Sequence, residues 1–447
     1  MLSTLCLNHK SKSMQLLWSL VYSYCAIPLL WIVFQLLGIF NDKVRRGISG
    51  RRELFEQLQQ RTTALARGKR VWFHSSSMGE FEQAKPIISA LKQRAPDVRI
   101  IATFYSPSGF EHSRKYPNAD IISYIPFDTR SGARKFLDLV RPDVAIMVRY
   151  DIWPNHIWEL QKRGIPVMIA NATMRRQTER RIPLVRSFHH YVYNAIDEIL
   201  TVSSGDVEAF GFFRLTRPRI EAIGDTRYDQ VSIRSTEARK HSIIPATVVK
   251  NKKVFIVGSS WPEDEEVILP ALYGLQEKIP QLLTIIVPHE PTEDHLEQLE
   301  RELNGAASSI RFSALNEYRG ERIVIVDSIG ILLKLYAYAQ VAYIGGSFRQ
   351  GVHNVLEAAV YGIPILFGPR HRNSQEPLLL VEQGGAFVIN DSVELQRTLQ
   401  NLLQDDAARI MAGERSARFV QSNVGATDRF LHHLAAHLPM INRSGQA

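Results

Sequence analysis

The sequence predicts an α/β protein: two doubly wound parallel-sheet domains facing a cleft, behind an N-terminal membrane anchor helix. Three observations carry this. After Arg52, short β-branched or aromatic runs alternate with longer helical patterns, as parallel sheets with helices on both faces require. The 447 residues suffice for about three domains, or for two large ones and an appendage. Finally, Met14 to Phe40 contains no Asp, Glu, Lys, Arg or His.

That apolar run comes first in the chain. As a helix it is about 40 Å long, enough to cross a hydrocarbon core of roughly 30 Å with some tilt. Trp18, Tyr22, Tyr24 and Trp31 are aromatics suited to the headgroup region, and Pro28 predicts a kink. Lys43, Arg45, Arg46, Arg51 and Arg52 follow it, against Lys10 and Lys12 before it, which predicts a cytoplasmic location for the rest of the chain. A cleaved signal peptide would need small residues before the cut, and Leu36-Leu37-Gly38-Ile39-Phe40 has no such pattern. The run therefore reads as an uncleaved anchor, spanning or embedded in one leaflet, separate from the βα arrays.

The first array has strand candidates at Val71–His74, Ile100–Phe104, Ile121–Ile125, Val144–Val148, Pro166–Ala170, Ile199–Val202 and Ile220–Ile223. The second has them at Val254–Val257, Leu283–Val287, Ile323–Val326, Val341–Ile344, Pro364–Phe367 and Ala386–Ile389. Between them, the polar and cationic stretch from Ser232 to Lys253 reads as a linker. The division is thus anchor and basic flank 1–48, first domain 49–231, linker 232–253 and second domain 254–447. Ligands of such sheets sit beyond the carboxyl ends of the strands.

Composition narrows the chemistry. With 45% hydrophobic and 22% charged residues the chain is globular rather than disordered or fibrous. Lys and Arg outnumber Asp and Glu by 54 to 45, a net charge of +9 that favours anionic partners. Nucleic acid has nothing beyond that charge to support it. The two cysteines, Cys6 and Cys25, precede the globular part, so a disulfide scaffold and a cysteine zinc site are excluded. No G-x-G-x-x-G follows a strand, and no G-x-x-x-x-G-K-[ST] or Asp-x-Asp occurs. The acidic cluster Glu263-Asp264-Glu265-Glu266 opens a helix after Pro262, which explains it better than a metal does. No metal site is predicted. Transfer chemistry must then rest on helix dipoles and cationic side chains.

Three motifs lie where such chemistry belongs. His74-Ser75-Ser76-Ser77-Met78-Gly79-Glu80 reads as strand end, turn and helix start. Gly79 is expected to permit the turn. Glu80 is either a general base toward an acceptor hydroxyl or a helix-terminal carboxylate with Ser77 as its cap. Gly345-Gly346-Ser347, followed through Gly351 by His353-Asn354-Val355-Leu356-Glu357, reads as a flexible loop and a helix whose N–H groups can hold phosphate. There Glu357 either accepts from ribose hydroxyls or is an ordinary first-turn acid. Pro288-His289 closes a third strand, where a lone histidine is either a ligand contact or structural.

These motifs, in this order, resemble the 3-deoxy-D-manno-octulosonic acid (Kdo) transferases of lipopolysaccharide synthesis. Further matches are Ile125-Pro126-Phe127-Asp128, Asp151-Ile152-Trp153-Pro154-Asn155, Ile169-Ala170-Asn171-Ala172, Gly224-Asp225-Thr226-Arg227-Tyr228-Asp229, Gly258-Ser259-Ser260-Trp261 and Asp327-Ser328-Ile329-Gly330. The resemblance covers nearly the whole chain. It implies a membrane-anchored GT-B fold, two Rossmann-like domains, and inverting transfer of Kdo from CMP-Kdo to a lipid A precursor (lipid IVA), with no cofactor. It makes Glu80 the catalytic base. It lays the CMP pocket on Pro288 and His289, on Ile329, Gly330 and Ile331, and on Asn354, Val355, Leu356 and Glu357.

Two departures stand out. Many members of the family have E-T-E-L-W-P-N where this chain begins with Arg149-Tyr150-Asp151, so one acid becomes Arg149 while the second survives as Asp151. The lysine of the family's G-x-x-K-F-D stretch is Arg227, which keeps the charge and changes its geometry. Both swaps resemble a Bacteroidetes-like branch of the family. Arg149 then meets the Kdo carboxylate or occupies a surface strand end. The implied partners are CMP-Kdo, the glycolipid acceptor and the cytoplasmic surface of the inner membrane. Arg175, Arg176, Arg180, Arg181 and Arg186 read either as a contact for lipid phosphate or as a solvated helix face. The rival readings are a membrane-associated GT-B enzyme using a UDP-sugar, and a tethered binding protein without turnover.

Overall fold

The computed structural model describes residues 13–174, 179–304 and 307–441; Cys6, Lys10, Lys12, Arg175 and Arg176 lie outside the described residues. The chain divides into two compact units, Met1–Gln230 with Gly425–Ala447, and Val231–Val424. Each is built on one seven-stranded parallel sheet.

The first sheet comprises β1 (Arg70–Ser75), β2 (Arg99–Phe104), β3 (Ile121–Tyr124), β4 (Val144–Val148), β5 (Val167–Ala172), β6 (Glu198–Thr201) and β7 (Arg219–Ala222). Their spatial order is β3-β2-β1-β4-β5-β6-β7. The order reverses between β1 and β4, and at such a switch point crossovers run to opposite faces and leave a crevice at the strand ends. Both faces are covered. Phe73, Phe81, Ile88 and Phe104 are fully buried on one, and Trp72, Phe136, Ile157 and Tyr193 on the other.

The second sheet comprises β8 (Lys253–Ser260), β9 (Leu282–Pro288), β10 (Ser309–Arg311), β11 (Ile323–Ile325), β12 (Val341–Ile344), β13 (Ile365–Phe367) and β14 (Ala386–Val388). Its order is β10-β11-β9-β8-β12-β13-β14, again with a reversal, here between β8 and β12. Thirteen of the fourteen strands fall on expected runs. The exception, β10, is a three-residue edge strand with one apolar residue and no buried position, too weak for a pattern to reveal.

Two boundaries differ from the sequence reading. The stretch 232–253 is not a loose linker. The helix Thr226–Ala238 runs into it, a further turn forms at Ala246–Val249, and Ile244 and Val248 are buried. The second unit also stops at Val424, because the last helix, Ala426–His437, returns to the first. Its Phe430, Leu431 and Leu434 are buried with Phe81, Ile87 and Leu91 of the Glu80 helix. Asp229 fixes its start, accepting from Gly425 N at 2.6 Å and Thr427 N at 2.7 Å.

The N-terminal run forms one helix, Ser13–Phe40, long and apolar enough to cross a membrane. A π turn at Tyr22–Ala26 precedes Pro28, widening the helix where the proline ring would crowd the preceding turn. Contrary to expectation, this helix is not separate from the first array. Tyr22 donates to Asp128 Oδ2 at 2.9 Å, Ser23 to Asn155 Oδ1 at 2.8 Å, and Trp18 Nε1 to Ser187 Oγ at 3.1 Å. Phe34 stacks on Phe127 and packs against Tyr105. Asp128, fully buried, also accepts from Asn155 N, His156 N and His156 Nδ1, so the helix ties into a satisfied polar cluster.

Candidate active site

In the first unit the chemistry gathers at the carboxyl ends of β1 and β4, neighbours paired at His74 and Met147. After β1 the chain turns at Ser76 and Ser77 into the helix Met78–Arg94. Glu80 Oε2 accepts from Ser76 N at 2.6 Å and Ser77 N at 3.2 Å. The capping geometry is therefore real, and both of its bonds fall on Oε2 rather than Oε1. Gly79 is not the turn residue expected: it lies inside the first helical turn, and a Cβ there would meet no atom within 4 Å.

A second carboxylate stands close by. Asp151 Oδ2 lies 2.8 Å from His74 Nε2, and Trp153 Nε1–H points at the same pair, 2.9 Å from the imidazole nitrogen and 3.3 Å from the carboxylate. His74 is fully buried, with Nδ1 2.9 Å from Thr103 Oγ1. Burial works against the Asp151 charge, but hydrogen bonds from His74, Trp153 and Ser76 outweigh it and hold Asp151 below the usual carboxylate range. Glu80 goes the other way. Burial, joined by the charge on Asp151, pushes it up, and the two backbone N–H groups oppose this only in part. Two carboxyls driven apart in this manner are how an ionised partner and a base poised nearer neutrality arise in one site. Sequence reasoning placed Glu80 and Asp151 but missed His74 and Trp153 as their partners. His74 and Trp153 lie 79 residues apart, and only the pairing of β1 with β4 joins them.

Arg149 follows β4 with φ +64°, a left-handed conformation that costs a non-glycine residue of order 1–3 kcal/mol. Its guanidinium lies over the Tyr150 ring, 5.6 Å from the centroid, and its buried Nε has no hydrogen-bond partner. Arg227 is engaged differently, with Nε 2.8 Å from Asp225 Oδ2. Asp225 adjoins a buried network in which Asn171 Nδ2 donates to Thr226 Oγ1 at 2.7 Å and to Gln83 Oε1 at 3.0 Å, one turn along the helix from Glu80. Arg227 thus pairs with Asp225, which is linked through Asn171 to Gln83 of the Glu80 helix. In the cationic stretch, Arg180 donates to Tyr193 Oη at 2.9 Å and Arg186 covers the Phe212 ring.

In the second unit, β8, β9 and β12 end at a stack of rings. His289 follows β9, and its backbone N–H donates to Ser260 O at 2.8 Å. The His289 and His353 rings are 4.4 Å apart and nearly parallel at 10°, and Trp261 adds a third ring 4.7 Å from His289. Arg349 caps Trp261 at 4.2 Å. Trp261 Nε1 donates to His353 Nε2 at 2.9 Å, so a neutral His353 carries its proton on Nδ1. Burial, with His289 beside it, lowers His353 to about 4. The lone His289 of the sequence is therefore one of a pair.

The Gly345-Gly346 loop is fixed rather than flexible. Asp264, fully buried, accepts from Gly346 N at 2.7 Å, Tyr343 Oη at 2.9 Å and Trp261 N at 3.0 Å. Glu265 accepts from Ser260 Oγ at 2.6 Å and sits 2.8 Å from His295 Nε2. Asp264 and Glu265 of the acidic cluster thus hold the loop and the strand end in place. No group of three His, Cys, Asp or Glu suited to a metal occurs among the described residues.

The helix expected near His353 begins only at Leu356 and ends at Ala359. Asn354 Oδ1 accepts from Leu356 N at 3.2 Å and caps that single turn, while Gly362, at φ +71°, and Pro364 prevent its extension. Val355 and Leu356 are buried and serve the core. Glu357 lies 3.5 Å from Arg234 and close enough to Tyr336 to oppose its ionisation. Ile329, Gly330 and Ile331 form the loop after β11, leading into the segment that bears Tyr336, with Ile329 85% exposed. Of the expected pocket residues, Pro288 and His289 lie at the end of β9 beside His353, which Asn354 follows, and Ile329–Ile331 lie in the loop after β11.

The family described as 3-deoxy-D-manno-octulosonic-acid transferase (kdotransferase) has a sequence model that matches residues 49–230. The 3-deoxy-D-manno-octulosonic acid transferase of Haemophilus influenzae is 26% identical, over 82% of this chain and 87% of its own. An Arabidopsis thaliana protein named "Probable 3-deoxy-D-manno-octulosonic acid transferase, mitochondrial" is 30% identical, over 67% of this chain and 69% of its own. Among solved structures, UDP-GlcNAc 2-epimerase from Neisseria meningitidis has a TM-score of 0.58 at 13% identity, covering 82% of this chain and 100% of that one. The epimerase from Methanocaldococcus jannaschii has a TM-score of 0.52 at 17% identity, covering 82% and 100%. These structures share the fold alone, the pair of Rossmann-like sheets of the GT-B class. From the sequence matches, the chain belongs to the 3-deoxy-D-manno-octulosonic acid transferases, which are glycosyltransferase enzymes.

Proposed function

We propose that this enzyme transfers Kdo from CMP-Kdo to a lipid A precursor, lipid IVA, in lipopolysaccharide synthesis, with inversion at the anomeric carbon and without metal or cofactor. The observation that carries the mechanism is Glu80, a buried carboxyl raised toward neutrality whose capping bonds both fall on one oxygen. The bond from the anomeric carbon to the CMP phosphate breaks, and a bond to the acceptor hydroxyl oxygen forms. The hydroxyl proton passes to Glu80 Oε1. Asp151, kept ionised by His74 and Trp153, keeps the Glu80 carboxylate basic.

The strained and partly unpaired Arg149 suits the Kdo carboxylate. In the second unit, His289 and the fixed Gly345-Gly346 loop suit the CMP phosphate, with Asn354 and Glu357 for the nucleoside. A one-turn helix offers little dipole, so the leaving phosphate depends on side chains rather than on a helix terminus. The N-terminal helix is a candidate anchor to the cytoplasmic face of the inner membrane. Its contacts with the first unit, from Trp18 to Phe34, favour a helix lying in the interface over one surrounded by lipid.

Mass spectrometry of glycolipids formed from CMP-Kdo and lipid IVA, with UDP-sugars as the alternative donors, tests the reaction. Glu80→Gln in the same assay is expected to lower kcat about 10²–10⁴-fold with donor affinity unchanged. Near-normal turnover would remove Glu80 as the base.

A further inference from the structure

Beside the Glu80 site lies a groove of about 410 Å³, a volume typical of small-molecule pockets. One wall is the N-terminal helix, contributing Ile27, Leu30, Val33, Phe34 and Leu37 at helical spacing. The other is the first unit, with Tyr105, Phe127 and Trp153. Ser76 and Asp151 also line it, and Ser76 is the residue whose backbone N–H holds Glu80. The groove is therefore amphiphilic, with an apolar body and a polar end at the acid pair.

We propose that this groove is the acyl-chain subsite for the acceptor glycolipid, an inference that rests on the transferase reading above. One fatty-acyl chain lies along Ile27, Leu30, Val33 and Leu37 while the sugar it decorates reaches Ser76, Asp151 and the base. Three features select this occupant. Leu30, Val33 and Leu37 face the groove yet are 51%, 43% and 50% exposed, apolar surface that a soluble protein rarely leaves in a cavity. The helix surface flanking the groove, with Leu29, Leu36, Ile39 and Phe40 exposed, is equally apolar, so a lipid reaches the groove without its tail entering water. The polar end at Ser76 and Asp151 meets the turn that holds Glu80, so a chain seated in the groove leaves the sugar it decorates at the acid pair.

The test uses the full-length protein in detergent micelles and a lipid IVA analogue with a diazirine at an acyl terminus. Photolabelling should fall on peptides containing residues 27–37, 105 and 127, and unlabelled lipid IVA should compete. A diazirine-tailed phosphatidylethanolamine should label the outward residues Leu29, Leu36 and Ile39 instead. Filling the groove with Leu30→Trp or Val33→Trp should raise the acceptor KM about tenfold or more, the equivalent of roughly two buried methylenes. The CMP-Kdo KM and turnover of a deacylated acceptor should stay as in wild type. Leu29→Trp, on the outer face, should change none of these. An unaltered acceptor KM in both groove variants, or equal labelling of the groove by the phospholipid, would overturn the proposal. A wild-type protein that makes no product from CMP-Kdo with any acceptor would overturn the transferase reading, and the labelling pattern would still decide the groove.

Discussion

A carboxylate at a helix start invites two readings, and Glu80 satisfies both, because capping uses one oxygen and chemistry needs the other. The two readings differ in sign for stability. A surface acid at a helix N-terminus contributes about 0.3–1 kcal/mol when ionised. Glu80, raised in the fold, contributes stability below its unfolded pKa that is lost as pH rises through the folded value. Removing its charge should therefore spare the folded state at neutral pH. Asp151 supplies the second prediction. Its charge is the electrostatic contribution that raises Glu80, after burial. Asp151→Asn should shift the acid limb of the kcat/KM profile to lower pH, by lowering the pH at which Glu80 ionises. An acid limb that stays in place, or moves up, would show that Asp151 does not set the basicity of Glu80. Both acids were legible in the sequence because Glu80 closes one motif and Asp151 opens another. The imidazole and indole that separate their ionisation were not, since only the register of β1 on β4 brings them together.

At the scale of elements, the periodicity of apolar runs located nearly every strand, while loops and short helices depended on partners far away in sequence. Gly345-Gly346 read as a flexible phosphate loop; in the fold, Asp264, 82 residues earlier, pins it. Gly346 has φ +89°, and a Cβ there would lie 2.6 Å from Gly351 O and 2.8 Å from the His353 ring. Gly346→Ala should thus cost about 1–3 kcal/mol through the left-handed backbone alone, with the clash in addition. The expected result is a lower melting temperature together with weaker CMP-Kdo binding, since the displaced His353 stacks on His289. Calorimetry and donor titration check both. Donor affinity retained alongside a lowered melting temperature would separate the loop from the nucleotide pocket.

At the scale of the whole molecule, chain order and spatial unit part company at both ends. The apolar N-terminal helix is read easily as membrane-seeking, but composition does not reveal that Tyr22 and Phe34 find partners in the first unit. The last helix shows an amphipathic pattern, yet a pattern cannot say which sheet it covers. Continuity assigned it to the second domain, whereas burial with Phe81, Ile87 and Leu91 assigns it to the first. Deleting residues 425–447 tests this. The deletion uncovers the space filled by Phe430, Leu431 and Leu434, each fully buried, and leaves Asp229 without Gly425 and Thr427. Truncating even one such side chain typically costs 2–5 kcal/mol, against a total stability of about 5–15 kcal/mol for a domain. The first unit should therefore lose its cooperative transition, and with it the helix that carries Glu80. Hydrogen exchange should report lost protection in β1, β2 and the Met78–Arg94 helix, while β8, β9 and β12 stay protected and CMP-Kdo binding persists without transfer. Loss of protection in the second sheet first would mean that the final helix supports the unit it follows in sequence rather than the one it packs upon.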